Sequence, residues 1–143
     1  MFIGEYTVSM DPKGRIAIPA KFRHLLNSSA VVTRGLDKSL FLYPKNEWET
    51  IAQKLAALPL SKANSRAFAR LMLAGAFDSE LDGQGRMMIP EYLRKFASLT
   101  KKVVIAGLYN RIEIWDEAAW SAYKMTTEKE SNAIAEGLGE LGV

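Results

Sequence analysis

The sequence predicts a mainly β protein with short helices, an α+β fold in which one unit occurs twice as two pseudo-symmetric halves. The stretch 11–19 recurs as 82–90, with the same aspartate, glycine, arginine, isoleucine and proline at matching positions. Short apolar runs of strand length flank both stretches. The order strand, turn, strand, helix, strand, turn, strand, helix then appears once in each half, which indicates an internal duplication.

Length and composition restrict the classes of protein. At 143 residues the chain can form one compact domain, or two small halves that share one core. It has no cysteine and one histidine, His24, which excludes disulfides, cysteine nucleophiles, histidine-based metal sites and Ser-His-Asp triads within one chain. No pair of carboxylates and no nucleophile–base set stands out. We therefore expect no enzymatic activity, no metal and no cofactor.

The apolar segments are too short for a membrane protein. No apolar run approaches the roughly 20 residues that are needed to cross a bilayer. Residues 1–6 lack the basic region and the long apolar region of a signal peptide. The absence of cysteine fits a reducing compartment. We expect a cytoplasmic protein without membrane contact.

The first half begins with a predicted hairpin, formed by strand 3–10, turn 11–14 and a returning strand 15–18. Asp at the first turn position, Pro at the second and Gly at the fourth fit a type I turn. Pro19 then precedes a short helix over 20–26. The apolar side chains expected on its buried face are Phe22, Leu25 and Leu26.

The remaining elements follow from apolar periodicity. In the first half we expect strands 30–33 and 40–43, a helix over 44–58, and a second helix from Ser61, as its cap, to Gly75. In the second half we expect strands 77–81, 86–89, 102–106 and 111–115, a helix after Pro90, a last helix over 116–135 and a frayed tail over 137–143. The resulting division is 5–47 for repeat 1, 48–75 for the connecting helices, 76–119 for repeat 2, and 120–143 for the C-terminal helix and tail.

Charge is distributed unevenly between the halves. Residues 1–75 hold 11 Lys and Arg against 5 Asp and Glu, a net +6, whereas 76–143 hold 8 against 11, a net −3. This makes the first half the better candidate for an anionic partner. An ordinary solvated surface is the alternative explanation.

Each turn carries an aspartate and an arginine four residues apart, Asp11 with Arg15 and Asp82 with Arg86. In one interpretation the aspartate caps turn amides and pairs with the arginine to fix the turn. In the other, the carboxylate orients the guanidinium outward, to bind phosphate or guanine. The residues alone favour both equally.

Other side chains near the turns have different roles. The third turn position accepts most residues, so the charge of Lys13 is not required by the turn. Its counterpart Gln84 can still hydrogen-bond a phosphate or a base edge. Arg23 and Arg94, on the helix behind each turn, could extend a basic surface, but we expect them to be solvated. The tryptophans, expected in the core or in a subunit contact, are Trp48, Trp115 and Trp120.

The two D-x-x-G-R-x-x-I-P stretches, with Gly4-Glu5-Tyr6 ahead of the first, resemble the MraZ family of bacterial transcriptional regulators, which carry two SpoVT/AbrB-like repeats. The resemblance covers essentially the whole chain, including Leu40-Phe41-Leu42-Tyr43-Pro44 and the lead-in 74–78. It implies a duplicated swapped-hairpin AbrB-like β-barrel, in which two units interleave within one chain.

The resemblance also implies a function. The family forms ring-shaped, octamer-like homo-oligomers and binds double-stranded DNA at direct repeats in the promoter of the division and cell-wall gene cluster, which begins with its own gene. That implies a cytoplasmic, nucleoid-associated protein. By motif position, the residues implied to contact DNA are Lys13, Arg15, Arg86 and Gln84, and those implied to support the turns are Asp11, Gly14, Asp82 and Gly85. Gln84 departs from the basic residue of repeat 1. The alternative is an antitoxin-like protein-interaction module of AbrB fold.

Overall fold

A computed structural model describes residues 1–142 of the chain. The strands are β1 (Phe2–Ser9), β2 (Arg15–Ala17), β3 (Ser29–Arg34), β4 (Leu40–Pro44), β5 (Phe77–Glu80), β6 (Arg86–Met88), β7 (Lys102–Tyr109) and β8 (Ile112–Asp116). The helices are α1 (Ala20–Leu26), α2 (Lys45–Ala56), α3 (Ala63–Ala69), a π-helical segment (Arg70–Ala74), α4 (Glu91–Phe96), α5 (Glu117–Lys129), α6 (Ser131–Gly137) and a 3-10 turn (Gly139–Leu141).

The halves interleave through their first and third strands. β1 runs antiparallel to β7, from Phe2 opposite Tyr109 to Ser9 opposite Lys102, and β5 pairs in the equivalent way with β3. The result is a six-stranded sheet of order β1-β7-β8-β4-β3-β5, with a separate two-stranded sheet of β2 and β6. The predicted α+β class, duplication and interleaving are confirmed. The six-stranded sheet is open at β1 and β5, and residues 1–142 form no single closed barrel of hydrogen-bonded strands.

Two of the predicted hairpins are wrong, because β2 and β6, which follow the two repeated turns, do not return along β1 and β5; β4 does return along β3, and β8 along β7. Between β1 and β2, only the bridge between Met10 and Ile16 has the predicted hairpin form. β2 instead pairs with β6, with Ile16 opposite Met87. This pairing places both side chains at 0% exposure over the core. Burial of the apolar face of each short strand therefore selects the partner from the other half.

A shared core lies between the two sheets, and both halves contribute to it. Its largest fully buried side chains are Ile16, Ile18, Phe22, Leu26, Leu40, Leu42, Met87, Ile89, Leu93, Ile105, Ile112 and Ile114. Phe22 packs edge-on against Phe2 and Tyr6, with ring centroids 5.4 Å apart in both pairs. Leu25, which was expected on the buried face of α1, is 39% exposed. In this seven-residue helix only Phe22 and Leu26, one turn apart, face the core.

The tryptophans pack in two smaller apolar clusters. Trp48 packs with Tyr43 and its neighbours, and Trp120 lies 5.3 Å from the buried Trp115, measured between ring centroids. Trp115 is buried, in agreement with a place in the core, and Trp48 and Trp120 are partly buried against these clusters.

Two helical predictions need correction. α3 begins after Lys62 without a side-chain cap, so Ser61 does not cap it, and the helix continues as the π-helical segment. The last predicted helix breaks at Glu130 into α5 and α6. The 3-10 turn falls in the tail that was expected to fray, of which Val143 lies outside the described residues. Among residues 1–142, none of the helices combines the length and the hydrophobicity of a membrane span.

Candidate nucleic-acid interface

The two repeated turns have the same backbone geometry. The backbone N–H of Gly14 donates to the carbonyl of Asp11 at 2.9 Å, and Gly85 donates to Asp82 at 2.9 Å. Both glycines have positive φ, +81° and +74°. Such values favour glycine, because a side chain is strained there. The turns that the sequence predicts are therefore present, and glycine is needed at the last position of each.

Asp11 organises the first turn and also holds Arg15. One carboxylate oxygen accepts from the backbone N–H of Lys13 at 3.0 Å and from that of Arg15 at 2.8 Å. The other oxygen accepts from Nε of Arg15 at 2.6 Å. Within the described chain, Nη1 and Nη2 of Arg15 make no hydrogen bond, so both remain available to an acceptor outside it.

The second turn repeats these contacts. Asp82 accepts from the backbone N–H groups of Gln84 and Arg86 and from Nε of Arg86, each at 2.9 Å. Hydrogen bonds from the backbone N–H of Arg86 and of Arg15 are the main reason that the pKa values of Asp82 and Asp11 are lowered. Their ionised forms therefore stabilise the folded state above the unfolded value of about 3.9, and that contribution is lost as pH falls through the lowered pKa.

The arginines of the two turns lie on one outward face. Ile16 and Met87 point into the core, so their neighbours Arg15 and Arg86 project from the other side of the β2–β6 ribbon. Arg15 lies opposite Met88, which places Arg86 on the diagonal, at a Cα separation of about 7–8 Å. The ribbon thus presents two guanidinium groups, each held by an aspartate.

Lys13 and Gln84 are exposed, but they lie at opposite ends of the ribbon. β2 and β6 are antiparallel, and each turn immediately precedes its strand. The structure therefore brings Arg15 and Arg86 together and separates the third-position residues of the two turns.

Arg23 and Arg94 are half-buried, so the expectation that they are solvated is wrong. Each of these arginines lies behind the turn of the other half. The hydrogen bonds between β2 and β6 continue past the strand ends, where the backbone N–H of Ile89 donates to the Gly14 carbonyl at 2.8 Å, and this brings the helix that carries Arg94 close to the first turn. A Cβ added to Gly14 would lie 2.8 Å from the guanidinium carbon of Arg94, and a Cβ on Gly85 would likewise clash with Arg23. The arginines repeat with the turn glycines in the sequence, which is the signal that could have indicated this packing.

No group of three or more His, Cys, Asp and Glu is placed to hold a metal ion among residues 1–142. The candidate site consists of the ribbon, its two turns and the arginines packed behind them.

Comparison with known proteins identifies the family. The model of the family described as "MraZ protein, putative antitoxin-like" matches twice, over residues 1–71 and 72–138. The chain belongs to the MraZ family. The double match also confirms the internal duplication.

Curated MraZ relatives match along their whole length. The chain is 46% identical over 143 residues to the transcriptional regulator MraZ of Natranaerobius thermophilus, and 48% identical to that of Halothermothrix orenii, with full coverage of both proteins in each case. A solved structure, "The solution structure of PHS018 from pyrococcus horikoshii", covers 80% of this chain and 88% of its own, at 14% identity and a TM-score of 0.34. That similarity is too low to compare site geometry.

Proposed function

We propose that the chain is a sequence-specific DNA-binding transcriptional regulator. Its sites are direct repeats in the promoter of the division and cell-wall gene cluster, including its own gene, and the turn residues make the contacts. The observation that carries this proposal is the outward ribbon with two aspartate-held guanidinium groups. The names of the two full-length relatives support a regulatory role.

The ribbon has the shape and chemistry for double-stranded DNA. The major groove of B-DNA admits a two-stranded β-ribbon. Because Asp11 and Asp82 engage only Nε, the terminal nitrogens of Arg15 and Arg86 can form paired hydrogen bonds to guanine O6 and N7 or to a phosphate. Lys13 supplies a phosphate contact, and Gln84 supplies a hydrogen bond at the other end.

The turn-supporting residues act through their neighbours. Asp11, Gly14, Asp82 and Gly85 shape the turns and aim the arginines, and they do not themselves bind DNA. In a ring-shaped homo-oligomer, several ribbons would face one DNA path, so that modest contacts combine through avidity. Subunits related by rotation around a ring all present their ribbons in the same orientation along the ring. This matches direct repeats, in which each copy of the DNA site has the same orientation. Such a protein would be nucleoid-associated.

Replacing Arg15 with alanine is the direct test. We expect Arg15→Ala to abolish specific binding, because it removes a bidentate hydrogen bond worth about 1–3 kcal/mol in every subunit that contacts DNA. Arg86→Ala should cost less, because the end of the ribbon that belongs to its turn carries Gln84 in place of lysine. The measurement is a fluorescence-anisotropy titration of a duplex from the region upstream of its own gene, against a scrambled duplex.

Arg70→Ala is the matched control, since the Arg70 side chain is exposed on the connecting helices and makes no hydrogen bond or ion pair within residues 1–142. It should bind like the unmodified protein. Sedimentation should give the same oligomer for all three variants. Unchanged promoter affinity in Arg15→Ala contradicts the proposal, and a larger loss in Arg86→Ala contradicts the ranking of the two turns.

The antitoxin-like alternative has one structural observation in its favour. Apolar side chains on the C-terminal helices are exposed, among them Met125 at 71%, Tyr123 and Ile134 at 44%, and Leu138 at 41%. A partner protein that covers them would co-purify as a second polypeptide in fixed ratio. Nucleic-acid absorbance that disappears in high salt, without a second polypeptide, favours the regulator.

A further inference from the structure

The end of the ribbon beside Lys13 gathers cations from the second half of the chain. The backbone N–H of Met10 donates to the carbonyl of Lys101 at 2.7 Å, which places residue 101 beside the first turn. The Arg94 guanidinium packs behind the same turn, against Gly14. The residues that line one open cleft of about 640 Å³ at this end are Ser9, Met10, Asp11, Pro12, Arg94 and Lys101.

Lys102 is held at the same end. Its Nζ donates to Oγ of Ser9 at 2.9 Å, across the β1–β7 pair. Lys95 lies on the helix behind the turn and pairs with Glu91 at 3.2 Å. Lys13 and Lys101 are exposed and make no ion pair within residues 1–142. Counting Lys13, Arg15, Arg94, Lys95, Lys101 and Lys102 against Asp11 and Glu91 leaves this end with four excess positive charges.

The pseudo-symmetric end provides an internal comparison. There the backbone N–H of Leu81 donates to the carbonyl of Ser28 at 3.0 Å, which is the equivalent of the contact between Met10 and Lys101. Ser29 lies opposite Glu80, where the first end has Lys102 opposite Ser9. His24 takes the place of Lys95, and Gln84 that of Lys13. Arg23 and Arg86 against Glu80 and Asp82 leave this end with no net charge.

The same backbone therefore carries a strongly basic surface at one end of the ribbon and a neutral one at the other. The fold needs no cation at the positions of Lys101 and Lys102, because serines occupy the equivalent positions at the other end. The net charge of each half along the sequence does not reveal this arrangement, because Arg94, Lys95, Lys101 and Lys102 belong to the half with net negative charge.

We infer that Lys101 and Lys102 form a phosphate-binding surface for the backbone of the DNA that the ribbon contacts. The second half then contributes to affinity mainly through these lysines beside the first turn, and less through its own turn at Gln84. This inference rests on the proposed function. Phosphate contacts of this kind release counterions and carry no sequence information, so they change the salt dependence of binding and leave discrimination between sequences intact.

The test is the double variant Lys101→Gln/Lys102→Gln. The matched control is Lys54→Gln/Lys62→Gln, which removes the same charge from exposed lysines on α2 and just before α3. Binding of two duplexes, one from the region upstream of its own gene and one scrambled, is titrated over a series of salt concentrations. For the double variant, the plot of log affinity against log salt should become shallower by about two units per chain in contact with DNA, and the ratio of affinities for the two duplexes should stay as in the unmodified protein.

If the slope of log affinity against log salt for the double variant equals that of the control variant, the inference about Lys101 and Lys102 is overturned while the proposed function stands. A fall in the ratio between the two duplexes also overturns it, because the lysines would then read bases. An unmodified protein that does not distinguish the two duplexes contradicts the proposed function, and the inference fails with it. Unchanged thermal unfolding and oligomer mass ensure that the comparison concerns folded protein.

Discussion

At the scale of single residues, Gly14 combines two constraints. Its φ of +81° lies in the region that strains a residue with a side chain, and a Cβ would lie 2.9 Å from the carbonyl oxygen of Ile89 and 2.8 Å from the Arg94 guanidinium carbon. Gly83, in the second turn, has neither constraint, since nothing lies within 4 Å of an added Cβ. Two turn glycines of one chain therefore have different structural roles.

This difference predicts the effect of alanine at each position. Gly14→Ala should lower the free energy of unfolding by about 1–3 kcal/mol, because the left-handed backbone and the contact with Ile89 both become unfavourable. Gly83→Ala is the control and should change it by less than about 0.5 kcal/mol. Urea unfolding followed by circular dichroism measures both. If Gly14→Ala and Gly83→Ala lowered the free energy of unfolding equally, the packing of Arg94 and Ile89 behind the first turn would not constrain position 14.

The turn chemistry could be predicted from the sequence, because it depends on neighbouring residues. The contacts of Asp11 with the amides that follow it and with Arg15 involve groups within four positions. The packing of Arg94 against Gly14 joins residues 80 positions apart and depends on which strands pair, which residue patterns do not specify. Lys101 was missed as a neighbour of the first turn for the same reason.

At the scale of elements, the strands were predicted well, as was the pairing of β3 with β4 and of β7 with β8, but the partners of β2 and β6 were not. Alternating apolar residues and turn residues determine where a strand begins and ends. The pairing of β2 with β6, instead of with β1, depends on long-range burial of Ile16 and Met87. The duplication was the one sequence feature that indicated interleaving, through the resemblance to a swapped fold.

The π-helical segment has a cause outside its own residues. The buried hydroxyl of Thr33 donates to the carbonyl of Met72 at 2.6 Å, and Nη1 of Arg34 donates to the carbonyl of Leu71 at 3.2 Å. Both acceptors lie within the π-helical segment, whose turns are wider than those of an α-helix. Side chains of β3 therefore hydrogen-bond to backbone carbonyls of this segment. Periodicity alone predicts a regular helix there, because the donors come from a distant strand.

Removing the Thr33 hydroxyl should therefore destabilise this connection. Thr33→Val keeps nearly the same shape, and we expect it to lower the free energy of unfolding by about 1–2 kcal/mol, since a buried hydrogen bond is lost. Thr7→Val, at an exposed position of β1, is the control and should have an effect below about 0.5 kcal/mol. Hydrogen exchange of the amides in 70–76 should accelerate only in Thr33→Val. Unchanged exchange would show that the segment holds its shape without β3.

At the scale of the whole molecule, the two halves depend on each other. In the full chain β1, β2, β3 and β4 each pair with a strand of the second half, and the shared core takes side chains from both. Each repeat has only about 43 residues, which is near the size at which a lone domain struggles to bury enough apolar surface. Because the two halves are related by pseudo-two-fold symmetry, a second copy of the first half would offer the strands of the first half the same pairing partners that the second half offers in the full chain.

The fragment 1–75 should consequently fold only as a dimer, with β1 of one copy beside β3 of the other, as β5 is in the full chain. Its circular dichroism signal should then rise with concentration together with the dimer mass from sedimentation equilibrium. Ile16→Asp should abolish folding and dimerisation together, because position 16 is fully buried where β2 meets β6. Ala17→Asp, at the exposed neighbouring position, should affect neither. A folded monomer of 1–75 at low concentration would contradict this dependence, because each half would then be stable without the strands of a second unit.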